Sequence, residues 1–262
     1  GGGQQYIVAD LDSNGWPQTG RNRALEELRR GFVFHYAGDQ HLASIVHHGI
    51  DQWGDAGYSF CVPSIAAGYP RSWRPDKEGR PVRNRPAAGL PNTGEYKDGL
   101  QNILTVHAIG NPTPTKSKSR LNTLHGKASG YGVVRMNKAK GTITMECHRL
   151  LIDASDLKPT DQFPGWPKTI NYRANYERAP AAYLPEIRVQ GLAHPVIQVK
   201  NAKTNELVYA LRSREDFYRP PVFDKTATYK VRVGEPDNDV WKILENLKPD
   251  AAGKKTTVSV EF

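Results

Sequence analysis

Asp39 and His41 are the residues whose types and spacing most directly offer chemistry. They close the stretch Phe32-Val33-Phe34-His35-Tyr36-Ala37-Gly38-Asp39-Gln40-His41. A carboxylate oxygen and an imidazole nitrogen two positions apart can both ligate a metal ion. The same residues can also end a strand in a polar turn, with Asp39 capping local amides. Asp10, Asp12 and Asn14 alternate as in a calcium loop before Gly15 and Pro17. The later glutamate of an EF-hand is missing, so a polar turn competes there too, and Asp10 and Asp12 stand as candidates only. His47 and His48 are adjacent, so on a strand they face opposite sides and at most one of them meets a site. Arg71, Arg74, Arg80, Arg83 and Arg85 interleave with Tyr69 and Trp73. Guanidinium forks match phosphate oxygens and an indole stacks on rings, which makes Arg71, Trp73 and Arg74 candidates for substrate binding. A basic surface loop anchored by Trp73 is the alternative. No Gly-x-Ser-x-Gly elbow and no glycine-rich nucleotide loop is present. Cys61 and Cys147 have no neighbour that would activate a thiol, and are expected to be buried and free.

The elements that must hold these residues follow from hydrophobic periodicity. Tyr6 to Ala9 is a short strand candidate. Ala24, Leu25 and Leu28 predict an amphipathic helix over 21–30, stopped by Gly31. Phe32 to Ala37 reads as a buried strand with Asp39 and His41 just past its end, where α/β proteins place their sites. Residues 42–50 fit either strand or helix, and 58–62 and 101–109 read as strands. The 64–99 stretch, rich in Gly, Pro, Arg and Asn, is a long loop, and residues 112–120 are an exposed turn. Residues 130–136 and 142–147 predict a hairpin, with His148 structural, and Phe163 to Pro167 is a turn-rich connector. From about Leu184 short alternating strands at 187–189, 196–199, 207–211 and 229–233 predict a small all-β sandwich-like module. Val240 to Leu247 reads as a short helix and Thr256 to Phe262 as a closing strand. The expected organisation is thus an α/β part over 1–183 and an accessory β module over 184–262.

At 262 residues and 38% apolar content the chain can bury a core, and it has no apolar run long enough to span a membrane. A net charge of +9 favours anionic partners such as phosphate esters, nucleic acids or acidic polysaccharides. The positive residues are spread along the chain, so a basic solvated surface explains them equally well. The Gly-Gly-Gly-Gln-Gln opening, without Met or signal peptide, is read as the start of a mature or truncated piece.

Leu-Asp-Ser-Asn-Gly-Trp-Pro (11–17), the following helix with Arg21 and Arg23, Gly-Asp-Gln-His-Leu (38–42), Phe-Cys-Val-Pro (60–63) and Tyr-Pro-Arg-Ser-Trp-Arg-Pro (69–75) occur in that order. Together they resemble the C-terminal half of the PhoD-like alkaline phosphatases, within the calcineurin-like metallophosphoesterases. The resemblance spans roughly residues 6–185 and is sharpest over 10–75. In that family Gly-Asp-x-His replaces the Gly-His-x-His of other metallophosphoesterases. The resemblance therefore implies Asp39 and His41 as ligands of a two-metal centre (iron, calcium, zinc or manganese) that hydrolyses phosphate mono- or diesters. It also implies the C-terminal part of a layered αββα sandwich and a periplasmic or secreted setting. The family's upstream motifs, an Asp-x-His, a further Asp and an Asn-His pair, have no counterpart here. The expectation is that an N-terminal half, separate or missing, completes the site. Nucleic acid enters only as a substrate class. The rival readings are a non-catalytic protein binding anionic polymers or glycans, and a piece that needs its other half to fold.

Overall fold

A computed structural model of the chain describes residues 18–66, 68–86, 89–113 and 115–262. Asp10, Asp12 and the expected strand at 6–9 lie outside them. The fold is mixed α/β, mostly sheet, with two α-helices among the described residues and no barrel. Contacts divide it into two compact units. The described residues up to 27, with 33–177, make the first, and 28–32 with 178–262 make the second.

In the first unit, helix α1 (Gln18–Arg30) is followed by β1 (His35–Ala37), β2 (Ser44–His48), β3 (Tyr58–Cys61), β4 (Gly94–Lys97) and β5 (Ile103–Ile109). Helix α2 (Arg120–Gly126) leads to β6 (Gly130–Asn137), β7 (Thr142–Arg149) and β8 (Lys168–Asn171). The five-stranded sheet runs β1-β3-β2-β5-β4, and β6-β7-β8 form a second, antiparallel sheet. Period-two alternation sends Ile45 and Phe60 to one face. There they meet Ile143, Met145, Cys147 and Ile170 of the second sheet in a shared core. Gly132 of β6 marks a close approach, since a Cβ there would run into Val62 and Phe60. The opposite face of the large sheet carries α1. From it Arg21 donates to the Gly49 carbonyl at 2.7 Å and the Ile103 carbonyl at 3.3 Å, and lies 3.2 Å from His48 Nδ1. With Nδ1 accepting from a guanidinium, His48 Nε2–H is the donor to Ser59 Oγ at 2.9 Å.

β1 pairs parallel with β3, while β2 runs antiparallel to both β3 and β5, and β4 antiparallel to β5. The C-terminal ends of β1, β3 and β5 therefore share one end of the sheet with the N-terminal ends of β2 and β4.

Several sequence expectations need correction here. The strand predicted over Phe32 to Ala37 is only His35–Ala37, and it is an exposed edge strand. Phe32 is spent in the turn after α1, with φ 53° and its N–H bonded to the Arg29 carbonyl. Tyr36 is 55% exposed. The 64–99 loop contains β4, held against β5, and also an isolated bridge between Arg83 and Glu95. The polar run at 112–120 ends in α2, whose first turn is capped by Ser119 accepting from the Asn122 N–H.

The second unit is built of strands apart from the last turn of α1 and a 3₁₀ turn. These are β9 (Ala182–Tyr183), β10 (Glu186–Gln190), β11 (Val196–Asn201), β12 (Leu207–Arg212), β13 (Phe217–Tyr218), β14 (Pro221–Val222), β15 (Tyr229–Glu235), β16 (Val240–Leu247) and β17 (Thr257–Glu261). They form the sheets β12-β11-β15-β16 and β13-β10-β17 and the ribbon β14-β9. Ile187, Val199, Val231 and Val233 are fully buried. Val240 to Leu247, expected as a helix, is β16. Its apolar residues fall at helical spacing, yet pairing with β15 supplies hydrogen bonds that an eight-residue helix would have had to make alone. No helix of the described residues is long and apolar enough to cross a membrane.

Candidate functional site

Asp39 and His41 sit on the loop that leaves β1, at the sheet end where β3 and β5 also finish. Both take left-handed backbone, with φ 70° and 53°. Two non-glycine residues in that region within three positions is strained geometry of the kind that collects at functional sites. The loop is pinned from one side by residues 69–71. His41 Nδ1 lies 2.8 Å from the Tyr69 carbonyl, and the Arg71 N–H donates to the His41 carbonyl at 3.3 Å. Arg71 Nη1 donates to Gln40 Oε1 at 3.1 Å. A carbonyl only accepts, so His41 donates from Nδ1, and in the neutral ring the lone pair lies on Nε2. This is the tautomer of a metal-ligating histidine oriented by a backbone partner. Beneath the loop, Cys61 Sγ is 3.8 Å from the Gly38 carbonyl, and burial pushes its thiol pKa up. Cys61 and Cys147 are both buried and free.

The donor set suits a metal in kind, a carboxylate with a correctly protonated imidazole. It falls short in number, since no group of three His, Cys, Asp or Glu side chains among the described residues converges on one point. The outer edge of β1 has no strand partner among the described residues.

The arginine-rich loop separates into different places. Arg71 stays beside the Asp39–His41 loop. Trp73 is drawn into packing, with its indole N–H donating to the Asn92 carbonyl at 3.2 Å and its ring edge-on to Tyr96. Asn111 clamps the Trp73 backbone, accepting from its N–H and donating to its carbonyl, each at 2.8 Å. Arg74 points into a separate cavity and donates to the Pro112 carbonyl at 2.9 Å.

The adjacent histidines divide as strand geometry requires. His48 faces α1, and burial, followed by the nearby Arg21, lowers its pKa to about 3. His47 faces the other way and stacks on Tyr58 at 3.9 Å, with His107 6.2 Å away. Burial lowers His47 to about 4 and His107 to about 3. Neither lies on the Asp39 loop. His148 is buried and stacks on Tyr131. Sequence reasoning missed Arg149 and Phe163, which come beside Arg74 only because β7 ends where β5 ends; no local motif marks that meeting. No family model, curated protein or solved structure matches the chain.

Proposed function

We propose that the chain is the C-terminal part of a PhoD-like, layered metallophosphoesterase that hydrolyses phosphate mono- or diesters. Asp39 and His41 supply two of the metal ligands, and residues outside the described ones supply the rest. The observation that carries this reading is the His41 hydrogen bond: Nδ1–H is committed to the Tyr69 carbonyl, so the neutral ring has its lone pair on Nε2, two positions along the chain from a carboxylate at the end of a strand. The edge of β1, which has no strand partner among the described residues, offers a place for a further strand that would bring the missing ligands to the same sheet end. When bound, the metal ions stabilise charge on the phosphoryl group and activate water. Arg71, tethered to Gln40, holds a planar fork of donors beside the site for the ester's anionic oxygens. The Gln40 and His41 contacts fix its position before substrate arrives, so little side-chain freedom is lost on binding.

The test is hydrolysis of an aryl phosphate monoester and diester by the chain with its companion segment. His41→Ala and Asp39→Asn should abolish turnover while preserving the unfolding midpoint. Arg71→Gln should raise KM more than it lowers kcat. Full turnover in both ligand variants would end the assignment.

A second reading, binding of anionic polymers or glycans without catalysis, is favoured by one feature of the second unit. A cavity of about 610 Å³ is lined by Arg219, Lys225, Lys254 and Lys255, with Asp250 already paired to Arg219 at 3.1 Å.

A further inference from the structure

A cavity of about 230 Å³ opens in the first unit between the ends of its two sheets. Arg74 enters it from the 69–75 segment and Arg149 from the last position of β7, with Asn111, Leu90 and Phe163 among the walls. Among the described residues no Asp or Glu lines it. Both arginines are half-buried, and neither forms an ion pair among the described residues. Arg74 is bonded to the Pro112 carbonyl and Arg149 lies 4.9 Å over the Phe163 ring. Two partly desolvated like charges facing one space are unfavourable unless an anion joins them. The protein nonetheless fixes one of them firmly, since the two Asn111 bonds to Trp73 set the backbone that carries Arg74.

We infer that this cavity is a binding site for a compact organic oxyanion of the phosphate class, with its oxygens between Arg74 and Arg149 and a short apolar stem against Leu90 and Phe163. At about 30 Å³ for each water-sized group, the space holds roughly eight such groups, which is a phosphate with a few carbons and not a nucleotide. The site is distinct from the Asp39–His41 loop. None of Asp39, Gln40 and His41 is among its lining residues. The inference does not rest on metal chemistry and survives if that reading fails.

The experiment is isothermal titration calorimetry of the full chain with phenylphosphonate, which resists hydrolysis, alongside inorganic phosphate and neutral benzyl alcohol. Saturable phenylphosphonate binding is expected, tighter than that of inorganic phosphate, with no binding of the alcohol. Equal affinity for phosphate and phenylphosphonate would remove the apolar stem from the assignment and overturn the class proposed. Arg74→Gln and Arg149→Gln should each weaken binding about tenfold or more, as expected when a charge-assisted hydrogen-bond partner is removed. Leu90→Trp keeps both charges but fills the cavity, and should abolish binding in a chain whose circular dichroism is unchanged. Lys140→Gln, which removes an exposed positive charge in the turn between β6 and β7, should leave the affinity as it is. Absence of saturable binding, or an affinity that ignores both arginines and Leu90, would overturn the inference.

Discussion

His47 should make the first unit sensitive to mild acid. The ring is 5% exposed, stacks on Tyr58 with the planes 15° apart, and abuts Gly54, which is held at φ 76°. Around it stand His107 on β5, Lys168 on β8 and Asp55 in the turn before β3. Burial is the main cause that lowers its pKa from the ordinary 6.5 to about 4; Lys168 lowers it further, while the Ala56 carbonyl and Asp55 oppose. The unfolded chain therefore takes up a proton in a range where the native chain refuses it. Stability is retained above pH 6.5 and drains away as pH falls through 6.5 toward 4. Between pH 7 and pH 5 this one group removes about 2 kcal/mol, close to the limit of about 1.4 kcal/mol per pH unit below its unfolded value. His47→Phe keeps the stack on Tyr58 and deletes the proton site. Urea unfolding of both chains at several pH values reads the result. The variant should lose about 2 kcal/mol less than the wild type over that interval, with His48 and His107, lowered further than His47, still supplying the larger part of the decline. Parallel pH profiles for the two chains would refute the reasoning.

Arg21→Ala removes the donors that reach Gly49, Ile103 and His48, and should cost about 2–3 kcal/mol in denaturant unfolding; a loss below 0.5 kcal/mol, the scale of a neutral surface change, would show that α1 does not depend on that side chain. Phe60→Ala deletes a ring with 0% exposure at the centre of the two-sheet core, and should cost about 3–5 kcal/mol, read from the same curves. Cys61 and Cys147, both raised by burial, should react with a thiol reagent only after denaturant is added; prompt reaction of the native chain would contradict their burial.

Helix α1 was legible in the sequence because Ala24, Leu25 and Leu28 repeat at helical spacing and Gly31 stops the run. The hairpin of β6 and β7 was legible because Asn137 to Gly141 is unmistakable turn chemistry between alternating strands. The Asp39–His41 pair was legible as types and spacing. Its left-handed backbone and the Tyr69 carbonyl that sets the His41 proton were not, since that partner lies on a different segment. Phe32 to Ala37 misled because an aromatic, apolar run reads as buried whether its strand is central or at an edge. Val240 to Leu247 misled because local periodicity favours a helix, and only the neighbouring β15 decides otherwise. β4 stayed hidden for a similar reason: Gly94-Glu95-Tyr96-Lys97 has little strand propensity of its own and is held by β5. Arg74 and Arg149 are remote in sequence and meet only through the packing of two sheets, so no spacing rule could join them.

The measurement that bears most directly on the central claim is the metal content of the chain, purified from its source with every co-purifying chain identified by intact mass. The account predicts about two metal equivalents per assembled site, a companion segment bearing the remaining ligands, and loss of metal in both His41→Ala and Asp39→Asn. An assembled protein without metal, or one that keeps its full complement in both variants, would contradict it.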